Sequence, residues 1–255
     1  MLLLVLIIII LILIGVYKLK YPFWSRQPVF HFHNLRYWIF PPGIIQQELP
    51  EKNKFYDEKI YFDSYSNIST KKKALFAKFI KSYFLPNKRE KYNPPKEGVL
   101  TYFKSHNSKS YLSMIYDKNT LNLIGTMSTR PLDCYIKNNK ITLNYADFIC
   151  VHPEHRKKGI APKLIYSHYV NSRFKNNNSV FLFKREGNTT LIVPLVIYNN
   201  YFFDIFYWDK LTTFDQPNIK TILINKDSFH YFTYVYERLM ESKFNCIIVP
   251  NLNHI

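Results

Sequence analysis

A chain of 255 residues has room for one medium domain or two small ones with a real core. Its formal net charge of +17 calls for an anionic partner (nucleic acid, anionic lipid or a phosphorylated cofactor) without choosing among them. Three widely spaced cysteines, Cys134, Cys150 and Cys246, exclude a disulfide framework and have no metal-ligand spacing, so no metal is expected.

Leu2 to Val16 is an almost unbroken aliphatic run ending at Tyr17, Lys18, Leu19 and Lys20. It is slightly short of the ~20 residues a bilayer core asks for, and Tyr17 with a snorkelling Lys18 extends it. No basic segment precedes it and no small-residue cleavage site follows, which reads as an uncleaved anchor rather than a signal peptide. Lys18, Lys20 and Arg26 put the positive flank on the C-terminal side, predicting a single-pass membrane protein with its body on the cytoplasmic side. Sequons at Asn67, Asn177 and Asn188 point the other way and are read as chance in an Asn-rich chain.

Tyr21 to Glu58, rich in Pro and aromatics, shows no sustained period and is expected to be mostly extended. Lys71 to Phe84 predicts a helix, capped by Ser69 or Thr70 and stopped by Pro86. Leu75, Phe76, Phe79, Ile80 and Tyr83 form its apolar face, and the lysines its solvated one. A shorter helix follows Pro94-Pro95, with Val99, Leu100 and Phe103 inward. The pattern then changes to strands. Tyr111 to Tyr116 and Leu121 to Ser128 flank the turn Asp117 to Thr120; Leu132 to Ile136 and Ile141 to Val151 flank Asn138 to Lys140. A helix over Gly159 to Ser172 and a strand over Val180 to Lys184 come next. Further on, Leu191 to Tyr207 reads as strand-like core, Ile219 to Ile224 as a strand, Ser228 to Ser242 as a helix and Phe244 to Val249 as a strand. Helices followed by an antiparallel meander, then a helix and a strand, give a mixed α/β (α+β) class.

The chemistry concentrates between Ala146 and Ile165, ADFICVHPEHRKKGIAPKLI. An apolar strand leads into His155, Arg156, Lys157 and Lys158, then Gly159, then the amphipathic start of a helix. The first N–H groups of a helix lack internal partners and carry partial positive charge. Three cationic side chains beside them make a phosphate cradle, and Gly159 lets a ligand approach the backbone. Alone, such a turn is about as often a plain solvated surface. Cys150, inside the apolar strand, reads as a buried thiol rather than a nucleophile. His152 and His155 read as surface or structural histidines.

The run Arg156-Lys157-Lys158-Gly159-Ile160-Ala161 resembles the acyl-CoA-binding signature of the GNAT acyl-CoA N-acyltransferase fold. Asp147 to Ile165 is similar over a longer stretch to the glycylpeptide N-tetradecanoyltransferases (N-myristoyltransferases). There a strand close to Asn-Phe-Leu-Cys-Val-His precedes a basic turn and Leu-Ala-Pro-Val-Leu-Ile. Tyr21-Pro22-Phe23-Trp24-Ser25-Arg26-Gln27-Pro28-Val29 resembles the same family's N-terminal segment, and Leu123 to Ser128 one of its strands. The similarity covers about residues 21 to 187 and fades after Asn188.

What the resemblance implies is specific. Phe23 and Trp24, which by position alone read as an interfacial aromatic belt beside the anchor, would line the acyl-CoA site. The backbone of Phe148, Ile149, Cys150 and Val151 would pair with the pantetheine arm, and the amides of Phe148 and Ile149 would form an oxyanion hole. Arg156, Lys157, Lys158 and the Gly159, Ile160, Ala161 and Pro162 stretch would hold phosphates. The cofactor would be an acyl-CoA, myristoyl-CoA before acetyl-CoA, and the acceptor a peptide N-terminal glycine or another amine. The expected organisation is an anchor over 1–20, an acyl-CoA-binding domain over 21–190 and a reduced second half over 191–255 packed on the same domain.

There are departures. The family uses its own C-terminal carboxylate as base, and this chain ends at Asn251-Leu252-Asn253-His254-Ile255, before that segment would begin. Asp147 stands where the family has Asn; it reads first as a strand-end carboxylate paired with a lysine or a backbone N–H, and second as a candidate base. Arg185 falls where the family has a threonine near the amine, and Gly159 where it has an arginine. A catalytically inactive acyl-CoA-binding or structural membrane protein is therefore the alternative. Nucleic acid is disfavoured: the lysines are dispersed and no nucleic-acid-binding motif appears.

Overall fold

The computed structural model describes residues 2–41, 43–84, 92, 94–95, 98–136, 139–176, 178–185, 191–199, 201, 222–242 and 244–250. Two compact units result: Met1–Val193 with Ile248–Ile255, and Pro194–Ile247.

The larger unit begins with helix α1 (Leu2–Lys20). Its side chains from Leu3 to Leu13 are each at least 45% exposed, and it is long and apolar enough to cross a membrane. The segment after it, expected to be extended, contains a 3-10 turn (Trp24–Arg26) and a one-turn helix α2 (Leu35–Ile39). Strand β1 (Tyr61–Ser64) precedes α3 (Thr70–Tyr83), whose Ser69 cap accepts the Lys72 N–H. Phe76, Phe79 and Ile80 are buried as the periodicity requires, whereas Leu75 is 39% exposed. Lys72 and Lys73 lie over the rings of Tyr61 and Tyr65 rather than standing free in solvent. Pro86, the expected stop, lies outside the described residues. Helix α4 (Gly98–Thr101) buries Val99 and is followed by buried Phe103.

Strands β2 (Tyr111–Tyr116), β3 (Leu123–Ile136) and β4 (Asn139–Val151) form the meander. The Asp117 carboxylate takes the Asn119 and Thr120 N–H groups and so closes the first turn. What reads in sequence as two strands either side of Arg130 is one long strand, β3. Pro131 sits just past the last β2 pair, Tyr111↔Thr129, where its missing N–H removes no bond to β2. Helix α5 (Ile160–Lys175) crosses over, and β5 (Phe181–Phe183) pairs parallel to β4. The order is β1-β2-β3-β4-β5, antiparallel up to β4, with β6 (Cys246–Val249) beside β3.

Alternation along β2 assigns the two faces. Leu112 and Met114 join α3, α4, Phe148 and Cys150 in one core, while Ile115 and Ile124 pack around Leu164 of α5 on the other. A Cβ on Gly125 would lie 2.8 Å from Leu164 Cδ1 and 2.9 Å from Ile115 Cγ2, so β3 and α5 meet this closely only because that position has none. Four residues beyond Leu164, His168 is fully buried and bridges the sheet, Nδ1 to Ser113 Oγ at 2.8 Å and Nε2 to Thr129 Oγ1 at 2.9 Å. A neutral imidazole offers one donor and one acceptor, and the two hydroxyls complete both.

The far side of α5 fastens residues 46–57. Tyr166 Oη donates to the Glu51 carbonyl at 2.6 Å and Tyr169 Oη to Gln46 Oε1 at 2.8 Å. The Arg173 guanidinium donates to the carbonyls of Gln46, Gln47 and Glu48. Ser167 Oγ accepts the Asp57 N–H.

In the smaller unit, α6 (Phe229–Met240) lies within the expected helix. The stretch read as strand-like core differs: Leu195, Val196, Ile197 and Tyr198 form no strand and are 56–69% exposed. The described part of the next expected strand, 222–224, is not a strand either, and 219–221 lie outside the described residues.

Burial pushes the His168 imidazole down to about 3. The unfolded chain therefore binds a proton below its ordinary value of 6.5 that the native state refuses, and stability falls as pH drops from 6.5 towards 3. Urea titrations should show a loss approaching ~1.4 kcal/mol per pH unit below 6.5 that is absent from His168→Gln, itself less stable at pH 7.

Candidate functional site

The site is built on an irregularity in β4. Between the pairs Thr126↔Cys150 and Ser128↔Asp147, β3 advances two residues and β4 three. The extra residue is a bulge, and Phe148 adopts φ +49° within it. Thr126 Oγ1 donates to the Phe148 carbonyl at 3.3 Å and Ser128 Oγ to that of Asp147 at 3.0 Å. Two β3 hydroxyls thus donate to consecutive carbonyls at the irregularity.

Strict alternation would send Asp147 and Phe148 to opposite faces. With the bulge, both meet Tyr102, at the end of α4. The Phe148 ring is buried edge-on to Phe84 at 5.2 Å and Tyr102 at 5.3 Å. Tyr102 Oη donates to Asp147 Oδ2 at 2.8 Å, and the Phe148 N–H donates to Asp147 Oδ1 at 2.7 Å. The Arg130 guanidinium lies 4.0 Å over the Tyr102 ring. Burial, then the Asp147 charge, push the Tyr102 phenol far above its ordinary value, so it stays a donor. Ile149, next along, is 40% exposed.

β4 ends in a 3-10 turn (Pro153–His155) leading to the basic residues. Arg156 is held in place: Nε donates to the Val151 carbonyl at 3.0 Å and Nη2 to that of Tyr83 at 3.4 Å. Its charge is fixed between the end of the strand and the C-terminal end of α3. Lys157 at φ +60° and Gly159 at φ +75° reverse the chain into α5. Pro162 stands in the first helical turn, where a missing N–H removes no helical bond. Val151, His155, Arg156, Lys157, Gly159, Ile160, Ala161 and Pro162 line an open cleft of about 300 Å³. His152 stacks edge-on to Tyr83 at 4.5 Å.

The structure thus brings Asp147 to Val151 and Arg156 to Pro162 to one end of β4. Phe23 and Trp24 stand apart from the cleft, on later turns of α5: Phe23 is buried with Tyr166 and Val170, and Trp24 stacks on Phe183 at 5.4 Å. Tyr102 and Arg130 were not legible as site residues, since one follows a short core helix and the other interrupts an apolar strand. No cluster of metal-binding side chains occurs among the described residues.

Residues 81–189 match the Acetyltransferase (GNAT) domain family. A crystal structure of Saccharomyces cerevisiae N-myristoyltransferase with bound myristoyl-CoA and inhibitors resembles the chain with a TM-score of 0.63 and 17% identity, over 94% of this chain and 61% of that one. Another, with bound myristoyl-CoA, gives 0.51 and 18%, over 67% and 42%. The chain spans less than two thirds of the length of either. No curated protein sequence matches it. The fold is that of a GNAT domain, a mixed and mostly antiparallel sheet flanked by helices, as the sequence led us to expect.

Cys150 is buried, and burial pushes its thiol up to about 12. Iodoacetamide at pH 8 is expected to label exposed Cys246 and spare Cys134 and Cys150, with mass spectrometry reading one adduct per native chain.

Proposed function

We propose that this chain is a membrane-anchored, acyl-CoA-dependent N-acyltransferase, most similar to N-myristoyltransferases, which transfers an acyl group to an amine such as a peptide N-terminal glycine. The observation that supports it most is the β4 bulge at Phe148 leading directly into the basic N-terminus of α5. A bulge takes backbone groups out of the ladder, and the Phe148 N–H is held only by the neighbouring Asp147 side chain, a partner that a ligand can replace. The turn beyond it gathers Arg156, Lys157, Lys158 and the first amides of a helix. These residues suit a chain of phosphates attached to an extended arm.

Bound acyl-CoA would supply the activated acyl carbonyl. Lys157, Lys158 and the amides of Gly159, Ile160 and Ala161 would hold its phosphates, with Arg156 as a fixed charge behind them. Phe23 and Trp24 are the aromatic pair we assign to the acyl chain. The N–H groups of Phe148 and Ile149 are the oxyanion donors of this mechanism. That of Phe148 is held by Asp147 Oδ1, so the carboxylate must turn away before the amide can serve. Once released, Asp147 would take the proton of the acceptor ammonium, with Tyr102 orienting it through Oδ2. Helix α1, as an anchor, would keep the domain where long-chain acyl-CoA partitions.

The same closed amide favours a second reading, an acyl-CoA-binding membrane protein without transfer. Calorimetry on the full chain in nanodiscs, with empty nanodiscs as control, should show myristoyl-CoA binding more tightly than acetyl-CoA. Lys157→Gly with Lys158→Ser should weaken both at least tenfold, about 1.4 kcal/mol, while leaving the Arg156 contacts and the positive φ at 157 undisturbed. Unchanged affinity removes the cradle. Asp147→Asn should lower acyl transfer to glycine peptides roughly 100-fold at unchanged acyl-CoA affinity. An unchanged rate removes the base, and intact binding with no transfer by the native chain selects the second reading.

A further inference from the structure

The surface around the exit of α1 carries an unusual group of side chains. Phe32, Leu35, Trp38, Ile39 and Phe40 are 51–73% exposed within nine residues, and α2 buries none of its own. Exposed apolar side chains gathered in one short segment mark an interaction surface. It is nevertheless rigidly built. Phe32 N–H donates to the Leu191 carbonyl and Val193 N–H to that of Phe30, both at 2.7 Å. Trp38 packs on Phe30 at 4.9 Å and on Phe32 at 5.7 Å. Its indole N–H already donates to the Phe32 carbonyl at 3.0 Å, so moving the ring out of water leaves no donor unpaired.

The patch is also tied to α1. Tyr17 Oη and His31 Nδ1 are 3.2 Å apart, the Tyr17 ring lies 5.9 Å from those of both His31 and His33, and Tyr21 N–H donates to the Tyr17 carbonyl. These contacts join the last apolar turn of the helix to the segment that carries the aromatic patch. Exposed Lys18, Lys20, Arg26 and Arg36 belong to the same region of the chain. Aromatic side chains with cations beside them, at the end of an apolar helix, match the boundary between acyl chains and anionic headgroups.

We infer that residues 30–40 form a membrane-resting foot, which inserts Leu35, Trp38, Ile39 and Phe40 into the interfacial layer of the leaflet from which α1 emerges. The partner is the bilayer surface itself, with anionic lipid preferred. The inference rests on α1 spanning that bilayer: its 19 residues, at ~1.5 Å each, reach across roughly 28 Å of hydrocarbon. It adds that the domain does not hang on a free tether but sits on the lipid through a second contact.

The test uses the full chain, carrying Cys246→Ser, in phosphatidylcholine–phosphatidylserine nanodiscs. A polarity-sensitive fluorophore is placed at Ile39→Cys, at Ile9→Cys within α1, or at Lys118→Cys on an exposed turn. The label at 39 is expected to shift to the blue and be quenched by lipids with a nitroxide near the headgroup, roughly twofold or more above the label at 118. The label at 9 should respond to nitroxides deep in the acyl chain. Deep quenching at 9 with a water-exposed signal at 39 overturns the foot and leaves the span standing. No quenching at 9 overturns the span and the foot with it. A blue shift at 39 without lipid quenching, accompanied by energy transfer between copies, overturns the foot in favour of a contact between two chains.

Discussion

One extra residue in β4 sets the character of this domain. A strand pairing without interruption consumes its own N–H and C=O groups and offers nothing to a ligand. The surplus residue at Phe148 breaks that economy of pairing, and an aromatic side chain at φ +49° is an unfavourable place for it. What compensates is packing: the ring is wedged into the aromatic core beneath α3 and α4, two β3 hydroxyls donate to consecutive carbonyls, and Asp147 caps the amide. The irregular backbone is held by its surroundings on every side. Strain kept in place in this way is typical of functional sites.

Helix α5 starts just beyond the end of the bulged strand and must be firmly seated for the two to keep their relation. The sheet does this with one glycine and one histidine. Gly125 permits close approach, and His168 fixes register through two hydroxyls on neighbouring strands. A buried imidazole is a less forgiving anchor than a leucine, because it accepts only a geometry that satisfies both ring nitrogens.

Sequence made visible whatever depends on neighbours along the chain. Ser69 announces the start of α3, Asp117 the tight turn, and Gly159 the entry to α5, because each acts through a local hydrogen bond or a local backbone demand. The bulge left no such mark. It is produced by pairing with β3, and the residue bearing the positive φ is a phenylalanine where a glycine would have signalled it. His168 was hidden for a related reason: α5 buries Ser167, His168, Ser172 and Arg173 alongside Leu164 and Val170, so polarity does not follow its buried face. Leu195 to Tyr198 misled in the opposite sense, since apolarity states a preference for leaving water without stating what will provide the cover.

The strapping of residues 46–57 to α5 bears on how the chain assembles. Its hydrogen bonds join partners 106 to 127 positions apart, from Asp57–Lys163 to Gln46–Arg173. Such contacts close long loops and reward the chain only after the entropy of closure has been spent. Residues 46–57 therefore leave the ribosome well before the α5 side chains that hold them. Until α5 emerges, residues 46–57 lack these partners, and Phe23 and Phe55 lack the cover of Tyr166 and Val170. Folding of this segment thus waits on a later one, an interval in which chaperones and proteases can act.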